Sequence, residues 1–306
     1  MSRHNFAIVT GAGRSGSQWL LKLFDLHQQT HCRNEPDRID EALQHPENAE
    51  VWESAIAHAR TYYGITDLLH SAPKYHFHTL SQSLGLQKLM YRKRVWRMLG
   101  YGDDWQLPRW IGSRTKLQDA ITILKIINAR KAIVYLLLNN SPIPIIHLVR
   151  HPGGMLNSWN HRFLGPRDEQ EIIKNQRSIL HNQLKEWPEY APLVGSLENM
   201  ELHEAKLWCW RFAQERIVTV GDDYPNYLRI IYEELASNPI AILRNAYKHV
   251  GLDWPAADIE PRVRILCKNS TSIGMKWRNQ LEPNEIACLK RVMRGSPLAK
   301  WWPDIL

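Results

Sequence analysis

Phe6-Ala-Ile-Val-Thr10-Gly-Ala-Gly-Arg14-Ser-Gly-Ser17-Gln-Trp19-Leu-Leu-Lys-Leu-Phe24 is the stretch on which the fold turns. Phe6 to Thr10 is a short run of β-favouring side chains, and Gly11 to Ser17 is a glycine-rich turn. Trp19, Leu20, Leu23, Phe24 and Leu26 then recur at helical spacing. The stretch therefore reads as strand, tight loop, helix. A second unit follows the same grammar: a strand over 120–125, a helix from Ala129 to Leu138 and a strand over 144–149. Strand, crossover helix and strand imply a parallel sheet, and so an α/β fold. Tyr227 to Tyr232 is one more strand. Asn238 and Pro239 then supply an N-cap and first-turn proline for a helix that Gly251 stops. Segments 41–70, 168–190 and 198–220 read as helical insertions that cap the sheet and shape an acceptor pocket.

The loop itself admits three readings. Gly11, Gly13 and Gly16 satisfy G-x-G-x-x-G, and Glu35 lies at the distance where a dinucleotide fold places its ribose-binding acid. The segment also approaches a nucleotide-hydrolase P-loop, but Ser17 and Gln18 stand where the lysine and the magnesium-binding hydroxyl belong. The third reading keeps the phosphate cradle without the metal. The backbone N–H groups of Ser15, Gly16 and Ser17 face an anion at a helix N-terminus, and Arg14 supplies the missing cation. A bland alternative, in which the glycines only make the turn, stands beside all three.

A second motif bears on the choice. Ile145-Ile-His-Leu-Val-Arg150-His-Pro152-Gly-Gly-Met-Leu-Asn-Ser158 ends a strand on arginine and sets a serine eight residues on. A fork of donors at a strand's C-terminal edge suits a phosphate close to a dianion. Taken alone, an arginine in this place is more often a surface residue closing a sheet.

Together the two motifs resemble the cofactor-binding pair of the sulfotransferases that use 3′-phosphoadenosine 5′-phosphosulfate (PAPS): an R-S-G-[ST] loop for the 5′-phosphosulfate and R-x-P-x-x-x-x-x-S for the 3′-phosphate. Gly13 to Ser17, Asp25-Leu-His27 and Cys32-Arg-Asn-Glu35 are similar to the opening of the tyrosylprotein and carbohydrate branch. The resemblance implies a P-loop-like three-layer fold with a central parallel sheet flanked by helices. It also implies Glu35 as the catalytic base and Lys125, 25 residues before Arg150, as the catalytic lysine beside Arg14. Gly13, Arg14, Ser15, Gly16, Ser17, Gln18, Trp19, Arg150 and Ser158 are the implied cofactor contacts. Ser270, Lys276 and Arg278 resemble, more loosely, a segment that closes over the cofactor. Tyr232-Glu-Glu-Leu235 resembles a segment that is structural in the family. The loop differs from the cytosolic small-molecule branch, which has lysine there and a histidine base.

The expected function is transfer of a sulfuryl group from PAPS, leaving 3′-phosphoadenosine 5′-phosphate (PAP), to a hydroxyl or nitrogen of a small molecule or glycan. Transfer to a protein tyrosine, a nicotinamide oxidoreductase and a basic nucleic-acid module are the alternatives. The last rests on 88–116, where cations alternate with Tyr91, Trp96, Trp105 and Trp110; a solvated helical face with core tryptophans and a wall of the acceptor pocket are the other readings there, and no nucleic-acid partner is expected. At 306 residues, 44% hydrophobic and 23% charged, the chain suits a single domain over 1–306. A net charge of +8 suggests an anionic partner without choosing one. Cys32, Cys209, Cys267 and Cys288 are too scattered for a metal or disulfide framework, and none of the 14 histidines has ligand spacing. With the first strand at Phe6 and the apolar run 132–149 broken by Pro142 and Pro144, no signal peptide, membrane span or metal is expected, and a cytoplasmic location is.

Overall fold

The computed structural model describes residues 5–38, 40–61, 120–164 and 168–305. Five strands form one sheet: β1 (Phe6–Gly11), β2 (Thr30–Asn34), β3 (Ile121–Ile127), β4 (Ile145–Val149) and β5 (Tyr227–Ile231). Their order is β2-β3-β1-β4-β5 and every neighbouring pair is parallel. Besides a four-residue helix at Ala191–Val194, the α-helices among the described residues are α1 (Ser17–Phe24), α2 (Ala49–Thr61), α3 (Arg130–Leu138), α4 (Pro152–Phe163), α5 (Glu169–Glu186), α6 (Leu202–Gly221), α7 (Tyr232–Ser237), α8 (Pro239–His249), α9 (Ala256–Cys267), α10 (Ser270–Met275) and α11 (Pro283–Met293).

Parallel strands joined by helical crossovers are covered on both faces. Along β1, Ala7 and Val9 pack with Leu20, Leu23 and Phe24 of α1 and Leu243 and Tyr247 of α8. Ile8 points the other way, onto Ile133 and Leu137 of α3 and Ile217 of α6. This two-residue alternation builds the three layers expected for an α/β protein. A third cluster, around Met155, Trp159, Trp208 and Phe212, joins α4 to α6 and to the segment 277–305.

Four details differ from the sequence reading. Thr30–Asn34 is a strand that hydrophobic patterning does not reveal: all five residues are buried, yet four are polar or charged. Thr30 and Arg33 bond within the interior. Thr30 shares its hydroxyl hydrogen between the carbonyls of Phe24 and His27, 2.8 Å from each, and Arg33 donates to the Ala59 carbonyl of α2. Lys125 lies within β3, which runs on to Ile127, rather than at its end. Tyr232 opens α7 instead of closing β5. Asn238 takes the N-cap position of α8 with Pro239 in its first turn, but its side chain makes no cap bond.

Gly251 stops α8 as expected, at φ 79°. Its N–H donates to Lys248 O (3.1 Å) and the Leu252 N–H reaches Tyr247 O (2.9 Å), a Schellman turn. The helical segments 168–190 and 198–220 are present as α5 and α6. In 41–70 the described part holds a 3₁₀ turn, Glu41–Gln44, and α2. Residues 62–70 and the cationic and aromatic stretch 88–116 lie outside the described residues. Among the described residues no helix is long and apolar enough to cross a membrane.

Candidate active site

The loop after β1 is pinned from two directions. The Ser15 N–H donates to Ala12 O (3.0 Å), closing the turn, and the Gly13 N–H donates to Asn128 Oδ1 (3.2 Å). Asn128 in turn donates its own N–H to Gly11 O (3.2 Å), so the residue after β3 grips both shoulders of the loop. Gly16 is the N-cap of α1 at φ 94°, and the first turn of that helix carries no acid. Of the three amides expected to face an anion, that of Ser15 is thus committed within the turn. Those of Gly16 and Ser17 stand at the positive end of the helix.

Arg14 and Arg150 meet beside this loop. Arg150 leaves β4 and donates from Nη1 to Arg14 O (3.1 Å), while Arg14 Nε donates to Ser158 Oγ on α4 (3.1 Å). The two sequence motifs are therefore hydrogen-bonded to each other across the β1–β4 edge. The Arg150 guanidinium also lies 4.6 Å from the centre of the Tyr232 ring. Burial pushes its pKa down; Tyr232 and Glu233 oppose that and the charge of Arg14 adds to it. Arg14 is lowered by burial and then by Arg162.

These groups line a cleft of about 320 Å³. Arg14, Arg150, Ser158 and Lys276 of the expected set are there together, joined by Asn157, His161, Arg162, Ile273 and Gln280. Among the described residues no carboxylate lines it. Four cations gathered at one cleft repel one another, and an anion of high charge relieves that. A phosphate group fits by a second observation. Arg150 Nε and Ser15 Oγ are buried with no hydrogen-bond partner among the described residues, and such groups ordinarily have one.

Glu35 and Lys125 form a separate pair on the other side of the loop, off β2 and β3. Lys125 Nζ donates to Glu35 Oε1 (2.5 Å) and to Asn34 Oδ1 (2.9 Å), and the Glu35 N–H donates to Lys125 O (2.8 Å). The side chains are 4% and 13% exposed for Lys125 and Glu35, so the pair is all but enclosed. Neither residue lines the cation cleft. Because β3 stands between β2 and β1, the loop lies between the Lys–Glu pair and the cleft.

The remaining expected residues are not among those lining the cleft. Ser17 and Gln18 begin α1, and Trp19 packs on Tyr232 with ring centres 5.2 Å apart. The Ser270 hydroxyl bonds the carbonyls of Cys267 (2.7 Å) and Ala236 (3.1 Å), and Arg278 pairs with Asp304 (2.9 Å). Both stay outside the cleft lining. Sequence reasoning passed over Asn128, Arg162 and the contacts of Tyr232. Arg162 had a local signal, four residues beyond Ser158 on one helix face. Asn128 had a weaker one, an asparagine where the chain leaves a strand, and its φ of 58° is the left-handed region asparagine tolerates. Tyr232 is brought in from far along the chain.

A cationic cleft and an enclosed Lys–Glu pair flank one glycine loop of this α/β protein. The chain belongs to the sulfotransferase family: the model described as "Sulfotransferase family" matches residues 7–256. No curated protein matches the sequence. Among solved structures it is similar to the sulfotransferase domain of the Synechococcus PCC 7002 olefin synthase (18% identity, 93% of each chain, TM-score 0.42). It is similar also to the sulfotransferase domain of the curacin biosynthetic pathway (14%, 96% of this chain and 98% of that one, TM-score 0.48). A third is mouse sulfotransferase SULT7A1 complexed with PAP (10%, 98% and 89%, TM-score 0.47).

Proposed function

We propose that the protein transfers the sulfuryl group of PAPS to a hydroxyl or nitrogen of a small molecule or glycan. The observation that carries this reading is the division of labour about the loop, with a cleft of cations on one side and a base-and-lysine pair on the other. The donor supplies the sulfuryl group and a phosphate leaving group. Arg150, Ser158 and Lys276 hold the 3′-phosphate from three elements, the Gly16 and Ser17 amides hold the 5′-phosphate, and Arg14 joins the two subsites. Lys125 neutralises charge growing on the transferring group, and the Glu35 carboxylate takes the proton that the acceptor loses. These roles call on no metal.

The dinucleotide reading of the loop is disfavoured by strand order. That fold pairs its first two strands and sets the ribose-binding acid beside the loop. Here β3 stands between β1 and β2, and Glu35 is bonded to Lys125. Calorimetric titration with PAP, NADPH and ATP–Mg²⁺ side by side tests the proposal: tight binding of PAP alone supports it, and binding of NADPH alone sinks it. Turnover with labelled PAPS over a panel of phenols, sugars, amines and tyrosine peptides then tests the acceptor.

A further inference from the structure

We propose that Trp302 and Asp304 are positioning residues for the donor: they hold the Arg150 and Lys276 walls of the cleft at a fixed separation, through a stack of His151 on Trp277. This deepens the donor-site reading above and rests on it. Arg150 follows β4 and Lys276 opens the 3₁₀ turn Lys276–Asn279, so the two cations stand on separate elements. The next residue in each case is a ring, and the two rings stack, with centroids 4.2 Å apart and planes 17° from parallel. A Cβ at Gly153 would lie 2.7 Å from the Trp277 ring, so the stack needs that position bare.

His151 is held on its own side. Its N–H donates to Glu233 Oε1 (3.1 Å), and its Nδ1 accepts the Gly153 N–H (3.0 Å). Burial pushes its pKa down to about 4, so the ring is neutral near pH 7 and stacks as an aromatic. The segment Pro297–Ile305 closes the arrangement. Trp302 is buried and meets the His151 ring edge-on at 5.4 Å, and its Nε1–H donates to Glu233 Oε2 (3.2 Å). Glu233 is thereby gripped at both oxygens, by the backbone beside Arg150 and by Trp302. Asp304 accepts from Arg278 Nη2 (2.9 Å) and places its other oxygen 3.6 Å from His151 Nε2, beyond hydrogen-bond length.

Neither Trp302 nor Asp304 lines the cleft; Trp302 holds His151 and Glu233 on the Arg150 side, and Asp304 holds Arg278 on the Lys276 side while its other oxygen faces His151. Loss of either bond frees one partner of the His151–Trp277 stack that joins the two walls, without touching the Lys125–Glu35 pair. The test uses Trp302→Phe, which keeps the ring and deletes the donor, with Asp304→Asn and the conservative Asp304→Glu. PAP affinity by calorimetry, KM for PAPS against kcat, and Tm are measured for each. Trp302→Phe and Asp304→Asn are expected to weaken PAP and raise KM about tenfold, what one hydrogen bond to a charged group is worth, with kcat within about twofold. Asp304→Glu is expected to recover most of that loss. Unchanged PAP affinity beside a lowered Tm overturns the proposal, leaving a purely structural role, and so does a fall confined to kcat. If Trp302→Phe does not fold, the partly exposed Asp304 pair of variants decides. Wild-type protein that ignores PAP overturns the donor reading itself, and a variant that binds PAP like wild type overturns only this inference.

Discussion

Gly16→Ala probes the packing on which the loop depends. Gly16 holds φ 94°, where an L side chain is strained, and a Cβ built there lies 2.8 Å from two carbons of the Tyr232 ring. The ring has little room to retreat. Trp19 packs on it at 5.2 Å and Arg150 lies over it at 4.6 Å, and a Cβ at Gly274 would come within 3.2 Å of it. The left-handed backbone costs an alanine about 1–2 kcal/mol, and overpacking a tight site costs about 1–3 kcal/mol. The sum, roughly 2–5 kcal/mol, corresponds to a fall in Tm of several degrees for a protein of this size. The two contributions separate in a double-mutant cycle with Tyr232→Ala, followed by urea denaturation. Without the ring, Gly16→Ala costs only the backbone strain, so a coupling of about 1–3 kcal/mol is expected between the sites. A displaced Tyr232 also shifts Arg150, so PAP affinity falls in Gly16→Ala. Equal costs in the two backgrounds, within about 0.5 kcal/mol, refute the steric account and the packing of Tyr232 on the loop with it.

Glu35→Gln keeps the shape of the pair with Lys125 while removing the base. Single-turnover rates are expected to fall about 10²–10⁴-fold with PAP affinity within about threefold, and near-normal turnover ends the base assignment. Arg150→Lys gives up the planar fork and its place over Tyr232. PAP is expected to bind about tenfold more weakly while AMP, without a 3′-phosphate, is unaffected, and equal losses for both ligands contradict the 3′-phosphate role. Burial depresses the pKa of His147 to about 3 and of His151 to about 4, below about 6.5 for histidine in an unfolded chain. Between those values the unfolded state binds protons that the native state does not, so stability falls as pH drops from about 6.5 toward 4. Urea titrations at pH 7 and pH 5 should show the fall, and His147→Asn should make it shallower. A slope unchanged by the substitution assigns the acid sensitivity to other groups.

The parts of this molecule legible in the sequence are those in which chemistry and local conformation coincide. Thr10 to Ser17 spells a strand, a turn and a helix start in consecutive residues, and Arg150 and Ser158 lie eight apart across one helix N-terminus. β3, α3 and β4 follow from apolar runs and helical spacing, with ends off by one or two residues, and α6 begins four residues later than its segment 198–220. β2 escaped because its buried side chains are Thr30, His31, Arg33 and Asn34 around Cys32, and their interior bonds are made to distant residues such as Ala59. Strand order was equally hidden: only the structure shows β3 lying between β1 and β2, which parts Glu35 from the loop. Ser270 and Arg278 sit beside the right neighbours in sequence, yet hydrogen bonding turns them to Cys267, Ala236 and Asp304. Tyr232 resembled a structural residue, and in packing it is one. What sequence alone could not show is that it packs on Gly16 and Arg150.

Arg14, Glu35 and Asn128 are three of the four described non-glycine residues with positive φ, and all three lie where β1, β2 and β3 end. Each holds a conformation that costs of order 1–3 kcal/mol and survives only because its surroundings insist on it. The same edge of the sheet is therefore where stability and activity compete. Glycine at position 128 would relax the backbone but release the amide of Gly13, and glycine at 14 or 35 would relax it while deleting a charge. Selection for thermal tolerance alone should drift toward glycine at these positions, and the hardier proteins it yields should be the slower ones.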